Sequence, residues 1–118
     1  MLSSLLSVIA VAASVGQGGG ALQSANGSEL IGNYVQVSIG TSRNKLFVTS
    51  NNMATITSDN GVVTSASWST LPGWFCLRLG NGRQECWPYE RPFELGRTVR
   101  LLSDCGASST WTLRPITH

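Results

Sequence analysis

From Leu30 onward the chain is a succession of short β-prone runs separated by Gly, Asn, Asp and Pro, with no helical period. That punctuation limits the fold more than any other feature, because strands of this length stabilise one another only when laid side by side in a sheet. The runs read as Ile31 to Ile39, Lys45 to Thr49, Met53 to Thr57, Val62 to Ser69, Trp74 to Leu79, Arg83 to Tyr89, Arg97 to Ser103 and Ser109 to Arg114. Val35, Val37 and Ile39 alternate with polar or amphipathic neighbours, the mark of a half-buried strand. Asp59-Asn60-Gly61 and Gly80-Asn81-Gly82 supply residues that tolerate the positive φ of tight hairpins. The expectation is an all-β fold: an antiparallel meander of about eight strands, closed or nearly closed into a small barrel, with a two-sheet sandwich as the alternative.

Cys76 and Cys86 lie equally far from Asn81. A three-residue loop centred there sets them opposite each other, with Trp74 facing Pro88 and Arg78 facing Gln84, and gives Gly82 the left-handed position. Counting outward from a hydrogen-bonded Leu79–Arg83 pair makes Cys76–Cys86 a non-hydrogen-bonded pair, close enough for a disulfide. Closing so short a loop is worth roughly 2–3 kcal/mol in the chain-entropy model. Three Cys and a terminal His lack the paired spacing of a zinc site, so no metal is expected. The register puts Phe75, Leu77, Leu79 and Trp87 on the core side, with Trp68 inward from the preceding strand. In the last hairpin, pairing Leu101 with Trp111 and Val99 with Leu113 leaves Asp104 to Ser108 as the loop. Cys105 then sits near its tip as a free, exposed thiol, with a Cys105-linked dimer as one consequence.

The N-terminal part has a different character. All fourteen charged side chains lie from Glu29 onward, and Leu5 to Val15 is small and apolar apart from Ser7 and Ser14. Such a stretch falls short of the roughly 20 residues of a membrane span but suits the core of a secretory signal. Residues 1–25 are therefore expected to be a signal segment cleaved between Ser14 and Ala25, and residues 26–118 a single exported domain in the periplasm or outside the cell. A buried N-terminal helix is the alternative. Export also fits a disulfide.

With Leu30-Ile31-Gly32-Asn33, the strand bearing Trp68, the Cys76 and Cys86 pair and the Trp111 hairpin in place, residues 30 to 114 resemble small exported proteins of unknown function from Gram-negative bacteria. The chain departs from them in having Cys105 and in its signal segment. The resemblance implies a periplasmic barrel-like domain without catalytic residues.

Little in the sequence suggests catalysis. The single His is His118 at the terminus, and Glu85, Glu90 and Glu94 are split between a strand and a loop. No phosphate-binding loop or cofactor motif is present. A net charge of +2 from scattered basic residues gives no footprint for nucleic acid. The expectation is a binding module, not an enzyme. Candidate contact residues are Trp74 and Arg78 on the disulfide side, and Tyr89, Arg91 and Phe93 in the Pro-bearing loop; Tyr89 and Phe93 could equally plug one barrel end. The partner would be a small apolar or aromatic molecule, or an envelope protein. A closed interior pocket lined by Trp68, Phe75 and Trp111 would favour the former, and a filled interior would favour a structural or accessory envelope protein, or a protein inhibitor, with no small-molecule ligand.

Overall fold

The computed structural model describes residues 25–116; the expected signal segment up to residue 24, its cleavage region included, and His118 lie outside them. Eight antiparallel strands form one sheet: β1 (Asn33–Ile39), β2 (Ser42–Val48), β3 (Met53–Ser58), β4 (Val63–Leu71), β5 (Trp74–Leu79), β6 (Gln84–Pro88), β7 (Thr98–Leu102) and β8 (Ser108–Pro115). The order β6-β5-β4-β3-β2-β1-β8-β7 makes the sheet a nearly closed barrel in which the first and last strands pair. Among the described residues, the one missing ladder lies between β6 and β7.

That seam is where the chain leaves the tight-turn pattern. Residues 89–97 form a longer connection behind Pro88, and a proline at a strand end removes a donor that a ladder would need. The β7–β8 loop closes the gap instead: the Asp104 N–H donates to the Cys86 carbonyl at 2.9 Å, and the Cys86 N–H donates to Asp104 Oδ1 at 3.0 Å.

Alternation within each strand sends one set of side chains inward. Val35, Val37, Leu46, Val48, Ala54, Ala66 and Trp68 are buried from β1 to β4, and Phe75, Leu77, Trp87, Trp111 and Leu113 from the rest. The β5–β6 hairpin has the expected register, with Phe75 opposite Trp87 and Cys76 opposite Cys86. The Leu79 N–H donates to the Arg83 carbonyl at 2.8 Å, and Gly82 turns the loop at φ 86°. Cys76 and Cys86 are bonded, their Cα atoms 4.1 Å apart.

Two local expectations are corrected. Val99 pairs with Trp111 and Leu101 with Ser109, two residues away from the expected register. A slip of two keeps every side chain on its face, so Val99 and Leu101 still pack against the core. The five-residue loop 103–107 decides it: Ser103 N–H donates to the Ala107 carbonyl at 2.9 Å, and Gly106 N–H to the Ser103 carbonyl at 2.9 Å. At the other end of the chain, the first strand begins at Asn33 and not at Ile31. Ser28–Leu30 form a 3-10 turn that buries Leu30, and Gly32 at φ 85° redirects the backbone into β1.

Candidate functional site: an open-ended barrel

The antiparallel order gives the barrel two unlike ends. One carries the long connection 89–97, the loop 49–52 and the 3-10 turn; the other carries the short loops after β1, β3, β5 and β7.

The first end is plugged. The Tyr89 hydroxyl donates to Glu29 Oε2 at 2.6 Å and accepts the Gly27 N–H at 2.9 Å, while the Phe93 N–H donates to the same carboxylate oxygen at 2.8 Å. Burial and then the Glu29 carboxylate hold the Tyr89 phenol far above its usual range, against a smaller opposing effect of the Gly27 N–H. Phe93 stacks on Tyr89 at 5.1 Å between centroids and on Trp111 at 5.7 Å. Phe75 stands at the centre, 6.0 Å from Trp68, 6.0 Å from Tyr89 and 5.8 Å from Trp111. No pocket among the described residues is lined by Trp68, Phe75 and Trp111 together, the arrangement that would have favoured an enclosed ligand. Those rings fill the plugged half of the barrel against one another.

The second end is open. A cavity of about 250 Å³ enters there, walled by Val37, Leu46, Ile56, Leu77, Trp87 and Trp111. Trp87 and Trp111 meet at 5.0 Å and form its floor above the aromatic plug. Ile39 and Leu79 bring the apolar wall up to the rim, where Asn44, Arg83 and Glu85 also line the opening. Glu85 faces inward because it lies opposite the inward Leu77, while Arg83, in the loop just before β6, accepts the Leu79 N–H on its carbonyl and brings its exposed side chain to the rim. Neither charged side chain enters an ion pair or a side-chain hydrogen bond among the described residues. Asn44 uses its Nδ2 on the Val37 carbonyl at 3.4 Å.

The residues singled out from sequence do not converge on this cavity. Trp74 and Arg78 lie on the outer face of β5, where Arg78 Nη2 donates to Gln84 Oε1 at 3.3 Å. Tyr89 is buried in the plug, Phe93 is half-buried beside it, and Arg91 is exposed at that same end. Of the three nearby carboxylates, Glu94 makes an exposed pair with Arg97 at 3.5 Å, Glu90 is exposed, and only Glu85 faces the cavity. Asn44 and Arg83 were missed. The one available signal was parity: Asn44 occupies an inward position of β2 opposite Val37, and Arg83 stands one residue before β6 in phase with its inward positions, where a polar residue next to apolar ones marks a rim.

Cys105 is exposed at the open end, in the loop that closes the seam. Its Sγ lies 3.5 Å from Asp104 Oδ1. Local desolvation, the Asp104 carboxylate and then Glu85 push the thiol above its ordinary value, with Arg83 opposing them. The thiol is accessible yet mostly protonated near neutrality, which slows its nucleophilic chemistry.

Among the described residues no helix is long and apolar enough to cross a membrane. No protein-family model matches the chain. No curated protein and no solved structure matches it either.

Proposed function

We propose that the protein is an exported binding module that holds a small apolar or aromatic ligand in the open end of its barrel. The observation that carries this reading is the asymmetry of the interior. One half is filled by stacked aromatic rings, with a second space of about 240 Å³ beside them under the more polar, charged connection that carries Tyr89, Arg91 and Phe93. The other half keeps about 250 Å³ of apolar-walled space open to solvent. A cavity of roughly 150 Å³ holds benzene in other proteins, so a single aromatic ring with substituents, or two fused rings, suits this volume. Mostly apolar walls with a few polar groups at the opening are the usual make-up of a small-molecule site. The periplasmic setting suggested by the resemblance belongs to this proposal, since an oxidising compartment suits the Cys76–Cys86 bond.

Naphthalene titrated into isotope-labelled protein tests the reading. Amide and indole resonances of Val37, Leu77, Trp87 and Trp111 should move, and Ile56→Trp, which fills the space from β3, should abolish the change while the protein stays folded. Unmoved resonances, or shifts confined to the outer face, would overturn it.

A second reading has one observation in its favour. On the outer face Leu71 pairs with Trp74, and Trp74 lies opposite Pro88; Leu71 and Trp74 are both exposed large hydrophobic residues. An accessory envelope protein with no small ligand would use such a patch to meet a protein partner.

A further inference from the structure

The walls of the cavity say that its ligand has an apolar body; the rim says what the other end of that ligand carries. Arg83, the last residue of the β5–β6 loop, and Glu85 on β6 stand two residues apart, so their Cα atoms are about 7 Å apart and their side chains line the same opening. Each is free of any ion pair among the described residues, even though the opposite charge is its near neighbour. Asn44, across the opening on β2, spends its amide nitrogen on the Val37 carbonyl and leaves its oxygen as an acceptor.

A ligand with a bare carboxylate would gain Arg83 but bring like charge against Glu85. An amine would gain Glu85 and meet Arg83 in the same way. Like-charge approach of this sort is a common device for rejecting the wrong ligand. A head group bearing both charges engages both side chains at once, and its ammonium has a further acceptor in Asn44.

Resting on the reading of the cavity as a ligand site, we propose that the ligand is zwitterionic: a free α-amino acid whose aromatic or branched apolar side chain enters the barrel while its carboxylate meets Arg83 and its ammonium meets Glu85. The head group stays at the mouth, where solvent is near and the cost of desolvating two charges is small. The side chain displaces water from the apolar walls of Leu46, Leu77 and Trp111, and its length is limited by the Trp87–Trp111 floor.

The test compares four probes in the same resonance titration of the full chain: L-phenylalanine, hydrocinnamate (no ammonium), phenethylamine (no carboxylate) and naphthalene (no head group). L-phenylalanine should bind at least about tenfold more tightly than either singly charged analogue, the worth of one charge-assisted hydrogen bond. Arg83→Gln should bring phenylalanine down to the level of phenethylamine, and Glu85→Gln to the level of hydrocinnamate. Both side chains reach the solvent-facing mouth, and unshifted amide resonances of Val37 and Leu46 in the unliganded variants show that they keep the cavity. If naphthalene binds but the three charged or zwitterionic probes fall within about threefold of one another, or a singly charged analogue binds best, the zwitterion proposal fails and the cavity reading stands. If no probe binds, both fail.

Discussion

Asp104 and Cys86 are joined by two hydrogen bonds, one in each direction, and these hold the β6 edge to the β7–β8 loop where the barrel has no ladder. The carboxylate takes the place of a strand carbonyl, so a single side chain stands in for the missing pairing. Cys86 is in turn bonded to Cys76 on β5, which ties the clasp into the body of the sheet.

Asp104→Ala should therefore cost about 1–2 kcal/mol, the worth of a charge-assisted bond to a strand amide. Denaturant unfolding would give the loss, and hydrogen exchange should speed up at the Cys86 amide first. Unchanged exchange at Cys86 would mean that the seam is held by the loop alone.

The Cys76–Cys86 link should appear in peptide maps made under non-reducing conditions, with no link from Cys105 to either. Cys76→Ser with Cys86→Ser should lower stability by about 2–3 kcal/mol, since the closed loop is short. A map that joins Cys105 to either partner would contradict the observed hairpin.

Cys105 should react with a maleimide in the native protein, but slowly at neutral pH. The rate should rise with pH past the range of an ordinary thiol, because the raised pKa keeps the thiolate scarce until then. Cys105→Ser should leave the thermal midpoint unchanged and abolish any disulfide-linked dimer formed in air. A rate that levels off at the pH of an ordinary, unperturbed thiol would show that the Asp104 carboxylate does not act on the sulfur.

Gly27 is the glycine with the least freedom. A Cβ there would lie 2.5 Å from Trp68 Cζ3 and 2.8 Å from Cη2, at a φ of 87°. Gly27→Ala should cost about 3 kcal/mol or more by displacing a buried ring. Gly40→Ala, at φ 58° with nothing within 4 Å, should cost only about 1 kcal/mol from backbone strain. Equal losses at the two sites would show that the Gly27–Trp68 contact is soft.

Tyr89 gives the fold an alkaline limit. Its folded-state pKa lies above the unfolded value of 10.0, so the unfolded chain releases the phenolic proton first. The stabilisation is complete below about pH 10 and is lost as pH rises from there towards the folded-state value. Tyr89→Phe should remove that dependence. It should also cost about 1–3 kcal/mol at neutral pH, because the Gly27 N–H loses its acceptor inside the plug. A stability curve that stays flat well above pH 10 in the native sequence would contradict the arrangement.

The sequence alone determined what depends on near neighbours. Eight strands, their inward faces and the pairing across Gly80-Asn81-Gly82 follow from alternation and turn chemistry, so the Cys76–Cys86 bond and the exposure of Cys105 were legible before any coordinates. The β7–β8 register escaped, because both registers bury the same faces and only the hydrogen bonds of loop 103–107 choose between them. What the tertiary structure decided is everything that joins distant parts of the chain. Glu29 and Tyr89 are 60 residues apart and carry no mutual mark in the sequence, yet their bond plugs one end of the barrel. The seam fell between β6 and β7 because β8 met β1 and Asp104 met Cys86. The open cavity is likewise a volume left over after Trp68, Phe75, Trp111 and Phe93 packed together at the other end. Alternation tells each side chain whether to point inward; only the assembled barrel determines how much space remains once they do.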